Sequence, residues 1–307
     1  MSPMLSATIF SFLLVMAVGA SGEGAIVSDS ATATAYWQTM LPNTPMPPAI
    51  LELLPHNSAE VGNDGESHGD VTVAFFLEEA LTPGSTVTPN IPPMSTSGAL
   101  LLRRRDAAAS IPMSTENFTD VMKMLAPVSR TMANDIWSTL DICENLLPVK
   151  GEKKTCVTSL ESMVEYVASI LTTGGDTRNL RSFSSPDVPM EGVVSSGRNK
   201  YKVSASRRAT ELSESATCHG MRFPYPVFMC HALNPTRVYT VTLEKKEVDV
   251  GGGPERMEVL AVCHLDTSGF EPEEMPAHVK PGDAPVCHFI ARDGIIWAPA
   301  TPSVPAA

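Results

Sequence analysis

The chain has 307 residues, a hydrophobic content of 43% and a formal net charge of −12 at pH 7. Its length is enough for one large domain or two small ones. The negative charge argues against general nucleic-acid binding, which needs a basic surface to neutralise phosphates, and it disfavours adhesion to anionic lipid. The 26 prolines and the low aromatic content of 6% predict loop-rich segments outside the core.

The N-terminus has the pattern of a secretory signal peptide. An apolar stretch from about Leu5 to Val18 is followed by small residues, with Val18 and Ala20 suitably placed for cleavage. The stretch is short for a membrane span, and no second apolar run of spanning length follows it. We therefore expect residues 1–20 to be a signal peptide and the protein to be secreted and extracellular, where cysteines form disulfides.

Residues 21–72 predict a variable, largely disordered leader, because Pro, Ser, Asn, Asp and Gly dominate there. One island interrupts it, "YWQTMLPNTPMPPAILELL", with Tyr36 and Trp37 before the prolines and Ile50 and Leu51 after them. The island is interpreted either as an anchor that docks onto the main domain, which we favour, or as a motif for a partner.

The first part of the main domain is predicted to be one strand followed by helices. Val71, Val73, Phe75 and Phe76 indicate a strand that ends at the Thr82–Gly84 turn. Helical periodicity then predicts three helices, which are written "ENFTDVMKMLAP", "SRTMANDIWSTLDICENLL" and "TCVTSLESMVEYVASIL" in the sequence. The polar connection "PVKGEKKT" between the last two suits an antiparallel helix pair.

Cys143 and Cys156 are predicted to form a structural disulfide. Cys143 lies near the end of the second predicted helix and Cys156 at the start of the third. The connection between the helices brings these two ends together, so a disulfide is geometrically reasonable. A loop of this length contributes about 3 kcal/mol in the chain-entropy model.

From residue 217 onward the pattern changes to strands. "RVYTVTLEKKEV" and "MEVLAVCHL" alternate as two strands of a hairpin, joined through the "GGGPER" turn. Short strands around "VFMCH" and "PVCHFI" complete a mostly antiparallel sheet. The predicted class is therefore α+β, with a helical segment followed by a disulfide-stabilised sheet that carries four Cys-His pairs.

Four of the six cysteines are followed directly by histidine, whereas composition alone predicts about 0.14 such dipeptides. The dipeptides are Cys218-His219, Cys230-His231, Cys263-His264 and Cys287-His288. Neighbouring side chains on a strand point to opposite faces, so the cysteines can pair as two disulfides while the histidines converge on a shared site.

Imidazole ligands in an oxidising compartment make copper(II) the leading metal, although zinc accepts the same ligands. A zinc-thiolate site is less attractive, because its cysteines usually lie two to four residues apart and are oxidised outside the cell. The residues alone leave an alternative open, in which the four histidines only form hydrogen bonds beside the disulfides. The remaining histidines, His56, His68 and His278, are expected at the surface.

Two further features are candidate sites. Asn117 begins the sequon Asn-Phe-Thr and is an expected N-glycosylation site. A basic run without acidic residues consists of Arg198, Lys200, Lys202, Arg207 and Arg208. It is interpreted as a solvated strand or loop, or as a contact for an acidic polysaccharide such as pectin.

The complete spacing resembles the plant BURP domain. The four Cys-His pairs are separated by 10, 31 and 22 residues, and Trp297 follows the last pair after eight. "FFLEEALTPG" resembles the opening two-phenylalanine motif of that domain, and Cys143 and Cys156 match its additional cysteines. The resemblance covers 73–299 and leaves 300–307 as a tail. The 31-residue gap is longer than usual for the family, and the excess is expected in the hairpin near Gly251.

This resemblance implies several functions. The island at Tyr36 is similar to a segment of the dehydration-responsive and anther-associated members, which are apoplastic, cell-wall or pollen-coat proteins without an assigned chemistry. Other members are copper-dependent peptide cyclases that cross-link Tyr or Trp of their own chain, and under that resemblance the four histidines of the pairs are the copper ligands. No repeated core peptide is evident here, so a structural or developmental role is the leading expectation, with wall polysaccharide or wall and pollen-coat proteins as partners.

Overall fold

The fold combines short helices with antiparallel strands. A computed structural model describes residues 30–54, 74–95, 110–145, 149–193, 200–246 and 254–300. The helices in these ranges are α1 (Ser30–Met40), α2 (Pro48–Leu51), α3 (Phe118–Leu125), α4 (Arg130–Glu144) and α5 (Leu160–Leu171). The strands are β1 (Phe76–Leu77), β2 (Thr86–Val87), β3 (Lys153–Val157), β4 (Leu180–Phe183), β5 (Tyr201–Arg208), β6 (Ala216–Met221), β7 (Val227–Ala232), β8 (Thr236–Lys245), β9 (Arg256–His264), β10 (Val286–Phe289) and β11 (Ile295–Pro299).

The strands of the described ranges form two sheets. The six-stranded sheet has the order β1-β10-β9-β8-β5-β2, and the five-stranded sheet has the order β3-β7-β6-β11-β4. Every strand pair in both sheets is antiparallel. With the helices this gives an α+β protein, as the sequence predicts.

The first predicted elements differ from the observed ones in two places. The strand that was expected to include Phe75 consists of Phe76 and Leu77, while Val71 and Val73 lie outside the described residues. Cys156 does not begin a helix but lies in β3. The helix starts only after Ser159, because the Ser159 hydroxyl accepts the Ser162 N–H and caps α5.

The two sheets face each other and share a thin inner layer. Val238, Leu260 and Val262 of the six-stranded sheet pack in one buried cluster with Ile296 of the five-stranded sheet. The outer face of each sheet has its own larger core. On the five-stranded sheet that core is built with α1, α2 and α5, whereas on the six-stranded sheet it is built with loop residues such as Ile91.

Helices α3 and α4 pack beside the five-stranded sheet rather than on its outer face. Their buried residues Val121, Ile136 and Leu140 contact the loop between β6 and β7 around Phe223. The Cys143–Cys156 disulfide, predicted from the sequence, connects the end of α4 to β3. This disulfide closes the segment between the two cysteines, which carries Glu152.

The segment 30–54 is ordered and packs against the main domain, as the anchor interpretation predicts. Trp37 is 3% exposed, its ring lies 5.7 Å from that of Trp297, and its Nε1–H donates to the Thr44 carbonyl. Arg292 makes a two-pronged ion pair with Glu52. The remainder of the predicted leader, 21–29 and 55–72, and the predicted signal peptide lie outside the described residues. None of the described helices has the length and apolarity that crossing a membrane requires.

Candidate metal centre

Two strand pairs position the Cys-His dipeptides. In the five-stranded sheet, Cys218 of β6 lies directly opposite Cys230 of β7, and the two form a disulfide with a Cα–Cα distance of 3.9 Å. In the six-stranded sheet, Cys263 of β9 and Cys287 of β10 are paired in the same way, also at 3.9 Å. All six cysteines of the chain are therefore in disulfides.

The cysteines and the histidines lie on opposite faces of their sheets. The two disulfides belong to the outer cores. Because strand side chains alternate, the four histidines that follow the cysteines point into the inner layer between the sheets. There His219 and His231 of one sheet meet His264 and His288 of the other.

The four imidazoles form a closed ring of contacts. The ring centroids of His219 and His231 lie 5.3 Å apart, and those of His264 and His288 lie 5.6 Å apart. Across the inner layer, His219 lies 5.8 Å from His288 and His231 lies 6.1 Å from His264. The sequence brings these residues together from four strands of two sheets.

We call His219 and His231 the carboxylate half of the cluster, because Glu152 borders it. His231 Nδ1 lies 2.7 Å from Glu152 Oε1, and the carboxylate side chain is only 5% exposed. The second oxygen of Glu152 accepts the Val149 N–H and lies 3.3 Å from the Lys154 ammonium. With the His231 proton on Nδ1, the lone pair of Nε2 is directed at His219, whose Nε2 lies 3.2 Å away.

We call His264 and His288 the aromatic half. Their rings are stacked with an interplanar angle of 15°, and each residue is 4% exposed. Phe75 packs edge-on against the His288 ring at 5.4 Å, and Phe270 lies 5.6 Å from the His264 ring. The His288 Nδ1 lies 3.4 Å from the Phe289 carbonyl, a long contact, and the buried Nδ1 of His264 makes no hydrogen bond of normal geometry to a described residue.

Burial favours the neutral form of three imidazoles of the cluster, those of His219, His264 and His288. Burial lowers the pKa of His288 to about 4. The neighbouring His231 lowers it further, whereas the hydrogen bond with the Phe289 carbonyl raises it. The pKa values of His219 and His264 also lie well below the ordinary 6.5, first because of burial and then because of the adjacent imidazoles. Burial raises the pKa of Glu152, but the hydrogen bond and charge of His231, the Val149 N–H and Lys154 outweigh it, so the net shift is downward. Neutral imidazoles beside an ionised carboxylate are the protonation states that a metal cation requires.

A cavity of about 420 Å³ opens beside the cluster. All four histidines line it, together with the rings of Phe75 and Phe270 and the thioether of Met229. Met229 lies directly opposite His219 in the sheet register, so both side chains face the cavity. The cavity combines imidazole, thioether and aromatic groups, whereas the buried clusters of the outer cores consist of aliphatic, aromatic and disulfide side chains.

Gly220 and Asp293 shape one wall of this cavity. A Cβ atom at position 220 would lie 2.2 Å from Asp293 Oδ2, so only glycine fits against this carboxylate. Asp293 is 1% exposed and accepts the Ser95 N–H at 2.8 Å. Because Gly220 has no side chain, the Asp293 carboxylate can lie against it in the cavity wall.

The donor set fits a transition metal, although it is not a closed coordination sphere. Two nitrogens that ligate one tetrahedral ion at 2.0–2.1 Å are about 3.3 Å apart, close to the separation of the His219 and His231 Nε2 atoms. Within the described ranges, no three His, Cys, Asp or Glu side chains already meet the full geometric criteria of a metal site. Two nitrogens of the carboxylate half already have the required spacing, whereas side chains would have to move before a third ligand could join them.

The other predicted site residues lie away from the cluster. Asn117 ends a short 3₁₀ turn before α3 and is half-buried. Of the basic run, Arg198 lies outside the described residues. The other four residues are exposed and lie on or beside β5: Lys200, Lys202, Arg207 and Arg208. His278 is exposed with φ 69°, as expected of a surface histidine, while His56 and His68 lie outside the described residues.

Three contacts of the histidine rings were not predicted from the sequence, those made by Glu152, Phe270 and Phe75. The sequence places Glu152 in a polar connection, and the signal that could have identified it is its position directly before β3, the strand in which Lys154 pairs with His231 of β7. Phe270 lies in a loop without periodicity. Phe75 was assigned to a strand, although its ring lies against the cluster. All three contacts depend on how separate elements pack, which local patterns do not encode.

Comparisons with known proteins identify the family of this chain. Residues 74–299 match the family model of the BURP domain. BURP domain-containing protein 11 of Oryza sativa subsp. japonica is 39% identical over 265 residues, which cover 78% of this chain and 77% of that relative. BURP domain-containing protein 2 of the same plant is 33% identical over 295 residues, which cover 93% and 96% of the two chains. BURP domain-containing protein 9 is 39% identical over 233 residues, which cover 75% of this chain but 42% of that relative.

Proposed function

This chain belongs to the BURP-domain family, and from this premise we propose that it is a secreted protein of the plant apoplast, cell wall or pollen coat that binds copper in its four-histidine cavity. The proposed role in the wall is structural or developmental, including the response to dehydration. Three disulfides that include every cysteine support the extracellular location, because such bonds persist in oxidising compartments.

The observation that carries the copper proposal is the convergence of four imidazoles from two sheets on one cavity. Imidazole nitrogens suit Cu(II), and the Met229 thioether in the same wall suits Cu(I). Both oxidation states therefore find donors of their own preference. Zinc accepts the imidazoles but gains nothing from the thioether.

In this proposal each part of the chain has a separate task. His219 and His231 present Nε2 lone pairs, and His264 and His288 complete the ligand set from the facing sheet. The disulfides behind them fix the two strand pairs. Bound copper would supply a one-electron redox couple, and the neighbouring phenylalanine rings would limit the access of water.

A second candidate function is oxidative cross-linking of aromatic side chains on a partner protein. The cavity volume of about 420 Å³ and its aromatic walls favour it, because a tyrosine or indole ring fits such a space. Joining two rings removes two hydrogen atoms, and dioxygen would accept them and be reduced to hydrogen peroxide. Cross-linking of the chain's own Trp37 is disfavoured, because this ring is buried against Trp297 and does not line the cavity.

Binding of an acidic wall polysaccharide is a third candidate. Its support is the exposure of Lys200, Lys202, Arg207 and Arg208 on or beside one strand. Lys202 lies opposite Glu244 in the sheet, which weakens the positive field of this strand. We expect any pectin binding to disappear at moderate salt concentration, and binding that resists salt or is absent would remove this candidate.

The decisive experiment measures copper and zinc content and the copper EPR spectrum of the secreted, oxidised protein. We expect near-stoichiometric copper that is lost when His219, His231, His264 and His288 are replaced together by alanine. His278→Asn is the matched control, because this histidine is exposed and outside the cavity, and asparagine tolerates its positive φ. A wild-type protein without metal but with all disulfides formed would leave the cluster as a framework of buried histidines only.

The location is tested separately with a fluorescent fusion in plant cells. With residues 1–20 intact we expect fluorescence in the wall after plasmolysis. Fluorescence that remains inside the cells would contradict the proposed compartment, whatever the metal content.

A further inference from the structure

We propose that Glu152 is a positioning residue that makes His219 and His231 the high-affinity half of the copper site. The inference rests on the proposed copper function. It adds that the four ligands are not equivalent, because His219 and His231 bind copper more tightly than His264 and His288. It also assigns a role to an acidic residue that lies far from the Cys-His dipeptides in the sequence.

The first argument is the tautomer of His231. A neutral imidazole carries one proton, and Glu152 Oε1, 2.7 Å from Nδ1, holds that proton on Nδ1. Nε2 is then a lone pair that faces the cavity and the Nε2 of His219. A ligating histidine whose second nitrogen donates to a carboxylate is the usual arrangement in metal sites, because the carboxylate orients the ring and raises its basicity.

The second argument is that Glu152 is itself held in place. Its side chain is 5% exposed, and the Val149 N–H and the Lys154 ammonium both contact its other oxygen. The Cys143–Cys156 disulfide and the pairing of β3 with β7 fix the backbone on which it lies. A carboxylate with so little freedom imposes one geometry on the imidazole.

The third argument is the contrast with the aromatic half. Among the residues that the structure describes, His264 and His288 contact aromatic rings, each other and the backbone at Leu233 and Phe289, and none of these contacts is a carboxylate. Their apolar surroundings do not favour a cation. A copper ion would therefore bind first at the carboxylate half, where the ligand spacing already fits.

The test compares copper affinity, measured by competition with a chelator, in wild type, Glu152→Gln and Glu274→Gln. We expect Glu152→Gln to bind copper 10 to 100 times more weakly, with an altered EPR spectrum. Glu274→Gln removes a charge near the cavity whose carboxylate accepts the Glu271 N–H, and we expect its affinity to stay within about threefold of wild type. Equal affinities of Glu152→Gln and wild type would overturn the proposal.

A second readout does not need the metal. In the metal-free protein, ¹⁵N shifts of the His231 ring should show the proton on Nδ1, and Glu152→Ala should move it towards Nε2. If wild type binds no copper, the copper function fails, and this tautomer result still decides whether Glu152 positions the ring. If wild type binds copper but both Glu152 variants keep its affinity and tautomer, only the positioning role fails. Thermal unfolding of each variant shows that the comparison is made on folded protein.

Discussion

The two strand pairs that carry the Cys-His dipeptides have the same local construction but different surroundings. Each has a disulfide between directly opposite cysteines and a histidine after each cysteine. Beside the pair β6–β7, the loop before β3 places Glu152 against His231. Beside the pair β9–β10, the rings of Phe75 and Phe270 cover the imidazoles. A repeated motif thus fixes where the imidazoles lie, and the elements packed beside it determine their chemistry.

The strongest test of this difference removes one half of the cluster at a time. We expect His219→Ala with His231→Ala to weaken copper binding on the order of a thousandfold, about 4 kcal/mol, because the preformed ligands are lost. Replacing His264 and His288 by alanine should reduce the copper affinity by a factor at least ten times smaller. Isothermal titration calorimetry against a competing chelator measures both values. Equal losses would mean that the four histidines act as one symmetric set.

The aromatic half should make the metal-free protein sensitive to acid. Because the unfolded His288 binds a proton near pH 6.5 and the folded residue only at about pH 4, full stability exists above pH 6.5 and is lost as the pH falls to 4. The loss from this residue alone is roughly 3 kcal/mol. Urea unfolding at several pH values measures it.

Two variants locate the acid sensitivity. His288→Gln should reduce the slope of stability against pH between 6.5 and 4, although His219 and His264, whose pKa values are also lowered, keep part of it. His278→Asn, an exposed control, should keep the wild-type slope. A His288→Gln protein with an unchanged slope would show that the acid sensitivity originates elsewhere.

The disulfides should contribute similarly to both strand pairs. Their cysteines are 12 and 24 residues apart, and the chain-entropy model gives about 3 kcal/mol for each. Replacing either pair by serine and measuring unfolding under non-reducing conditions tests this expectation. A much smaller effect in one pair would mean that the two hairpins differ in construction as well as in surroundings.

The smallest expected effect concerns Gly220. Alanine there must displace the Asp293 carboxylate, which lies 2.2 Å from the position of the new Cβ, and we expect a loss of about 2 kcal/mol. Denaturant unfolding of Gly220→Ala, Asp293→Ala and the double variant provides the control. The double variant should lose less unfolding free energy than the two single variants lose together. Simple additivity of the two losses would contradict the proposed clash.

The sequence predicts much of this molecule where information is local. The alternation of Cys and His on strands predicts opposite faces, and helical spacing predicts α3, α4 and most of α5. The start of α5 was placed too early, because β-branched Thr155 and Val157 pair with β7 and Ser159 provides the cap. The division of one strand region into two facing sheets was not predicted, because it depends on which strands pair across long separations.

The site follows the same rule. Convergence of the histidines was an expectation from alternation and resemblance, and the structure places all four around one cavity. Glu152 and Phe270 reach the cluster through packing of a loop before β3 and a loop after β9, and no spacing in the sequence indicates that these loops meet. The spacing of the Cys-His dipeptides therefore does not predict that one half of the cluster borders a carboxylate and the other half borders phenylalanine rings.

The docking of α1 and α2 has a consequence for how the protein can be cut. The family match begins at residue 74, but Trp37, Leu41 and Ile50 belong to the same buried core as Trp297. A fragment that starts at the family boundary would expose that core and lose the Glu52 partner of Arg292. The buried core extends beyond the segment that the family model matches, so a protease that cuts between residues 54 and 74 would leave α1 and α2 as a cap held without a covalent link.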